Sequence, residues 1–204
     1  MVKNIMNIAL IASLFLAISC NNSDRLDLKL MNEGKVLFFQ EDYQTALLKF
    51  QTSSQVNPRN DVSIAYIGFC RYYLNETRMA ITDFNKSLKL NRTNNIALFG
   101  KSLVLWDLGD YLGAYTLFDS VSNINPKHDK VFYYKALAAL KFEDTTFAIN
   151  SLGIAINNAP QFPEPYYLLS SIYLKQNRIK LADSLVKLAT QAQKRMQSPQ
   201  KKDN

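Results

Sequence analysis

The chain has 204 residues, 48% of them apolar and 20% charged, with only 6 Gly and 6 Pro, a composition that excludes disorder for most of its length. Of its net charge of +7, Lys3 supplies one and the last eleven residues three, leaving a body of +3. That body is too weakly and evenly charged to form the concentrated basic footprint that nucleic-acid binding needs, so no nucleic-acid partner is expected.

The first element is residues 1–19. It carries Lys3, an apolar stretch from Ile5 to Ile18 broken by Asn7, and Ser19 directly before Cys20. The stretch is short for a bilayer span, which needs about 20 apolar residues, and reads as an export signal. The segment Leu16-Ala17-Ile18-Ser19-Cys20 resembles a bacterial lipoprotein signal, with Ala17 where that family usually carries Leu. The resemblance implies a lipidated Cys20 as the first mature residue, a tether over 20–26, and a membrane partner reached through the lipid. Non-acidic Asn21 points to the outer membrane, with the chain read as facing the periplasm. Several acyl chains anchor stably, at about 0.8 kcal/mol per buried methylene. Cys70 is then the only remaining thiol, which excludes an intramolecular disulfide.

From residue 27 onward a period governs the chain. Alanine stands at positions 46, 80, 114, 148 and 182, always 34 apart. Four residues after each come Phe50, Phe84, Phe118, Leu152 and Val186, all large and apolar. Twelve before stand Gly34, Gly68, Ser102, Ala136 and Ser170, all small, and sixteen before stand Leu30, Ile64, Leu98, Phe132 and Tyr166. Pro58, Pro126 and Pro160 follow three of the alanines by twelve residues and end helices. Apolar residues at three- and four-residue steps make each segment an amphipathic helix, and clusters such as Gln40-Glu41-Asp42 and Glu143-Asp144 separate two helices per unit. A single helix pair cannot bury its apolar face, so stacked pairs must supply the core. The predicted units are 27–60, 61–94, 95–128, 129–162 and 163–196. The last helix, from about Leu181 to Gln197, is polar enough to cap the stack, and 197–204 reads as a disordered basic tail.

Small residues, alanine, an aromatic and proline at these offsets with a period of 34 resemble the tetratricopeptide repeat. The resemblance covers residues 27–196 and implies an all-α fold, an α-solenoid of five helix-turn-helix units wound into a right-handed superhelix. Arg92 stands where the family has proline, and Arg71 where it has a large apolar residue.

Catalytic and cofactor chemistry finds no support in the sequence. His128 has no neighbouring Cys or carboxylate cluster and reads as a solvated loop residue, while Cys70 falls in a packing column and reads as an inert thiol. There is no glycine-rich phosphate loop and no nucleophile beside a base. No enzyme, metal or cofactor is expected.

In the tetratricopeptide family, ligands are held in a concave groove lined by the first helix of each unit. Carried onto this chain, those columns give Phe69, Tyr73, Phe99, Leu103, Trp106, Tyr133, Leu137, Lys141, Tyr167 and Lys175. An aromatic groove with a basic edge suits an acidic or amphipathic peptide; some of these rings, Trp106 above all, could instead pack between units. The columns of the family's chaperone-peptide clamp hold Met31, Lys35, Tyr66, Ile96 and Gly100, so that clamp is missing. The resemblance therefore implies a membrane-anchored scaffold binding a protein or peptide partner in the bacterial envelope. A glycan-binding outer-membrane lipoprotein is the alternative.

Overall fold

The computed structural model describes residues 25–197, with the side chain of residue 197 left aside. Residues 1–24, which hold the signal-like segment and Cys20, and residues 198–204, most of the expected tail, lie outside the described residues. Ten helices and no strand occur among the described residues: α1 (residues 25–39), α2 (Tyr43–Val56), α3 (Asp61–Tyr73), α4 (Thr77–Leu90), α5 (Asn95–Asp107), α6 (Tyr111–Ile124), α7 (Val131–Lys141), α8 (Thr145–Asn158), α9 (Glu164–Lys175) and α10 (Ile179–Gln197). The second helix of each pair starts at 43, 77, 111, 145 and 179, in steps of 34. The fold class is all-α, built from consecutive helix hairpins of the α-solenoid type.

One turn design joins the two helices of every hairpin. Glu41, Asn75, Gly109, Glu143 and Asn177 all take positive φ, between 59° and 82°. The next residue's N–H reaches back to a carbonyl five residues earlier, as in Asp42 to Leu37, Asp110 to Leu105 and Asp144 to Ala139, the closure that ends helices with a left-handed residue. Asp42, Asp110 and Asp144 then cap the following helix, their carboxylates accepting from Thr45, Gly113 and Phe147 N–H. Because Asn177 and Arg178 occupy this turn, α10 begins at Ile179, two residues ahead of the sequence expectation. Likewise α1 is already helical at residue 25, where a tether was expected, since nothing between Arg25 and Asp27 interrupts a helix.

The described residues form two compact units, one ending at Val104 and the other beginning at Leu105. In the first, Phe50 and Phe84 are fully buried, each against a glycine of its own hairpin. A Cβ on Gly34 would stand 2.9 Å from Phe50, and one on Gly68 2.7 Å from Phe84, so the small column is a steric requirement of the aromatic one. Phe50 also stacks on Tyr66 of the next hairpin, with ring centroids 4.9 Å apart. Phe84 meets Gly100 at the equivalent place. The junctions between hairpins are closed by polar groups. Asp27 is buried, bonded to Ser53 and receiving the Asn57 and Asn60 amides at 2.9–3.0 Å. One period later Asp61 receives Asn91 and Asn94, both at 2.8 Å. Arg71, the departure from the repeat pattern, pairs with Asp83 at 2.5 Å.

In the second unit Phe118 is buried and stacks on Tyr134, and a core of Ala136, Ala139, Ala148, Leu152, Leu169 and Ile172 joins α7, α8 and α9. His128 departs from the solvated-loop expectation. Its side chain is 16% exposed, and Nδ1 accepts the N–H groups of Lys130 and Val131 at 3.3 Å each. It stands one and two periods after Asn94 and Asn60, which accept the N–H groups of Ala97 and Ser63 in the same way. Val186 shares the column of Phe50 but is 41% exposed, since no further described hairpin packs on it.

Candidate partner-binding surface

The left-handed turns bring the last residues of each first helix against the first residue of the second helix, and aromatics concentrate there. In the first unit Phe38 is the hub. It makes edge contacts with Phe39, Tyr43, Tyr66, Phe69 and Tyr73 at 5.4–6.1 Å. Tyr73, at the end of α3, lies flat on Tyr43, at the start of α2, with centroids 4.6 Å apart and planes 10° from parallel. Phe39 is 75% exposed and Tyr73 45%. The ammonium of Lys35 lies 5.6 Å from the Tyr66 ring centroid. Burial, helped by Glu41, pushes the Tyr73 phenol above its ordinary value of 10, so it stays a neutral hydrogen-bond donor at physiological pH.

The second unit repeats this geometry with one change of chemistry. Tyr111 opens α6 as Tyr43 opens α2, but the residue laid over it from the next hairpin is Lys141, its ammonium 4.7 Å from the ring centroid. Trp106 meets the same ring at 4.8 Å. Tyr133 packs against Phe162 and Tyr134 at 5.4 Å each, and Lys130 reaches over Phe162. Tyr167 is exposed, its hydroxyl 3.5 Å from the Gln193 side-chain oxygen. Lys175 lines a cavity of about 410 Å³ whose walls include Leu140, Leu168, Ile172, Ser171 and Glu143.

The residues expected in the groove therefore occupy different settings. Tyr73 is exposed on the aromatic surface of the first unit. Trp106 and Lys141 meet on Tyr111, while Tyr133, Tyr167 and Lys175 sit elsewhere in the second unit. Phe69, Phe99 and Leu103 are buried at 8% exposure or less; they hold helices together and offer no free face to a ligand. Leu137 is half-buried. Sequence reading missed Phe38, Phe39, Tyr43 and Tyr111. The first two lie eight and seven residues before Ala46, in the columns that gave Trp106 and Tyr73, and the other two lie three before their alanines. Cys70 is buried, and burial pushes its thiol up to about 12, which leaves it unreactive.

No family model matches the sequence, and no curated protein is detectably similar to it. Solved structures are similar in fold. A Pseudomonas aeruginosa pilF structure matches at 16% identity with a TM-score of 0.76, over 84% of this chain and 78% of that one. A thermophilic tetratricopeptide protein of Thermus thermophilus, TTC0263, matches at 16% and 0.69, over 82% and 92%. YrrB, described as a tetratricopeptide protein with an unusual peptide-binding site, matches at 14% and 0.59, over 88% and 92%. The chain has the fold of tetratricopeptide proteins.

Proposed function

We propose that this protein is a non-catalytic scaffold that holds a protein partner of the bacterial cell envelope, tethered to the membrane through lipid on Cys20. The observation that carries the interaction reading is the exposed aromatic surface beside the hairpin turns, rings already locked against one another and edged by Lys35 in one unit and Lys141 in the other. Preordered rings give large contact area at small entropic cost, and the lysines select an acidic or amphipathic peptide. The peptide-binding site named for YrrB lends the reading support by likeness of fold. A glycan platform has less support, because Tyr43 is covered by Tyr73 and Tyr111 by Lys141 in place of open ring faces.

The anchor rests on the sequence of residues 1–20. Cys20→Ser should move the protein from the membrane fraction to the soluble fraction, and unchanged fractionation would refute lipidation. For the surface, pull-down from envelope extract with the intact chain and with a Tyr43→Ala, Tyr73→Ala variant is expected to recover a partner only with the former. Equal recovery would reject that surface.

A further inference from the structure

Away from the aromatic surface, the first unit carries one concentration of charge that the even balance of the repeat body conceals. A hollow of about 770 Å³ is lined by Lys86 and Lys89 of α4, by Arg92 just after it, and by Lys101 of α5, with Asn85 and Thr82 beside them and Leu88 at its apolar side. Among the described residues, no carboxylate lines it. Lys101 is fixed in place, its ammonium donating to Asn85 Oδ1 at 2.8 Å. Lys86, Lys89 and Arg92 are exposed and form no ion pair among the described residues. The partial negative charge at the carboxyl end of α4 offsets about half a unit of this charge, which leaves most of four positive charges facing one space.

Like charges gathered in one concavity focus the field that attracts an anion. The cations converge on a single hollow from two helices and a loop, and do not run along a surface as an extended acidic peptide would require. An arginine fork, ammonium groups and the N–H groups of the Asn85 amide together match a group with several charged oxygens, while the Thr82 hydroxyl donates to the Arg78 carbonyl. We propose that this hollow binds a phosphate-bearing anion, either the head group of an anionic phospholipid or a soluble phosphate ester, through Lys86, Lys89, Arg92 and Lys101.

The test uses the full chain and a Lys86→Ala, Arg92→Ala variant, two exposed positions whose loss leaves the hairpin core untouched. Vesicles of phosphatidylcholine with and without phosphatidylglycerol are one arm, and calorimetric titration with inorganic pyrophosphate is the other. Expected is binding enhanced by phosphatidylglycerol, or a measurable pyrophosphate affinity, that weakens about twenty-five-fold in the variant, from roughly fivefold per cation, and falls with added salt. Binding to the lipid without pyrophosphate assigns the membrane as the source, binding to pyrophosphate without the lipid assigns a soluble phosphate ester, and binding to both assigns the phosphate group that the two share. A Lys180→Ala, Lys187→Ala variant, altered on α10, should behave as the parent. Absence of both activities, or equal loss in the two variants, would overturn the proposal.

Discussion

Gly100→Ala and Phe84→Ala together test how hairpins in the first unit are packed. Phe84 is fully buried and pressed against two glycine backbones. A Cβ on Gly68 would lie 2.7 Å from its ring, and one on Gly100 would lie 2.2 Å from Cζ and 2.3 Å from Cε1. Carbon atoms attract at about 3.5–4.0 Å, so Gly100→Ala demands that the ring retreat by more than about 1 Å in a packed site. Alanine would by itself favour a helix interior over glycine by about 1 kcal/mol, whereas overpacking costs about 1–3 kcal/mol. With the ring held against Gly68, the clash wins at the upper end, and the single variant should lose about 2 kcal/mol. Phe84→Ala alone should lose about 3–5 kcal/mol. In that background the new methyl enters vacated space, so Gly100→Ala should gain about 1 kcal/mol, a coupling of about 3 kcal/mol between the sites. Urea unfolding followed by far-ultraviolet circular dichroism, with unchanged m-values, reads all four proteins. If Gly100→Ala costs the same with and without Phe84, the ring is not what makes glycine necessary.

Burial holds the His128 imidazole below its ordinary value of 6.5, with Lys130 adding to this and Asp129 opposing it. The unfolded chain therefore takes the proton first. The stability His128 contributes is full above pH 6.5 and declines as pH falls from there through its lower folded value. His128→Asn, the residue found at positions 60 and 94, should keep the helix cap and flatten the loss of urea midpoint between pH 7 and 5. Glu143 pays for a left-handed conformation at φ 61°, so Glu143→Gly should raise stability by about 0.5–1 kcal/mol, read as a higher melting temperature; a lower one would contradict the turn geometry. Removing Asp83 leaves the mostly buried Arg71 guanidinium without its closest anion, and Asp83→Ala should cost about 2 kcal/mol in urea unfolding.

The period of 34 made the hairpins legible, because small and aromatic columns twelve and four residues from alanine are what close helix packing demands. The turn clusters were visible too, though their shared left-handed residue was not, since Glu41 and Glu143 are not residue types that advertise positive φ. The site was harder to read. Phe69 and Tyr73 lie one helical turn apart on one face of α3, yet one is buried and the other open, a difference set by neighbouring hairpins. Gly100 enters the sequence pattern only as a position of the missing peptide clamp, and its packing role is set by the Phe84 ring against it. Taken alone His128 reads as a loop histidine, whereas the column it shares with Asn60 and Asn94 marks it as a cap.

In the proposed function, partners meet the protein at the rings and lysines beside the hairpin turns. Photo-crosslinking residues placed at Phe39 and Lys141, and for comparison at Thr52 and Asn150 on the exposed sides of α2 and α8, test it in envelope-bearing cells. A covalent adduct of one defined mass from the first two positions and none from the second two is the predicted result; adducts only from Thr52 and Asn150, or equal adducts from all four, would contradict it.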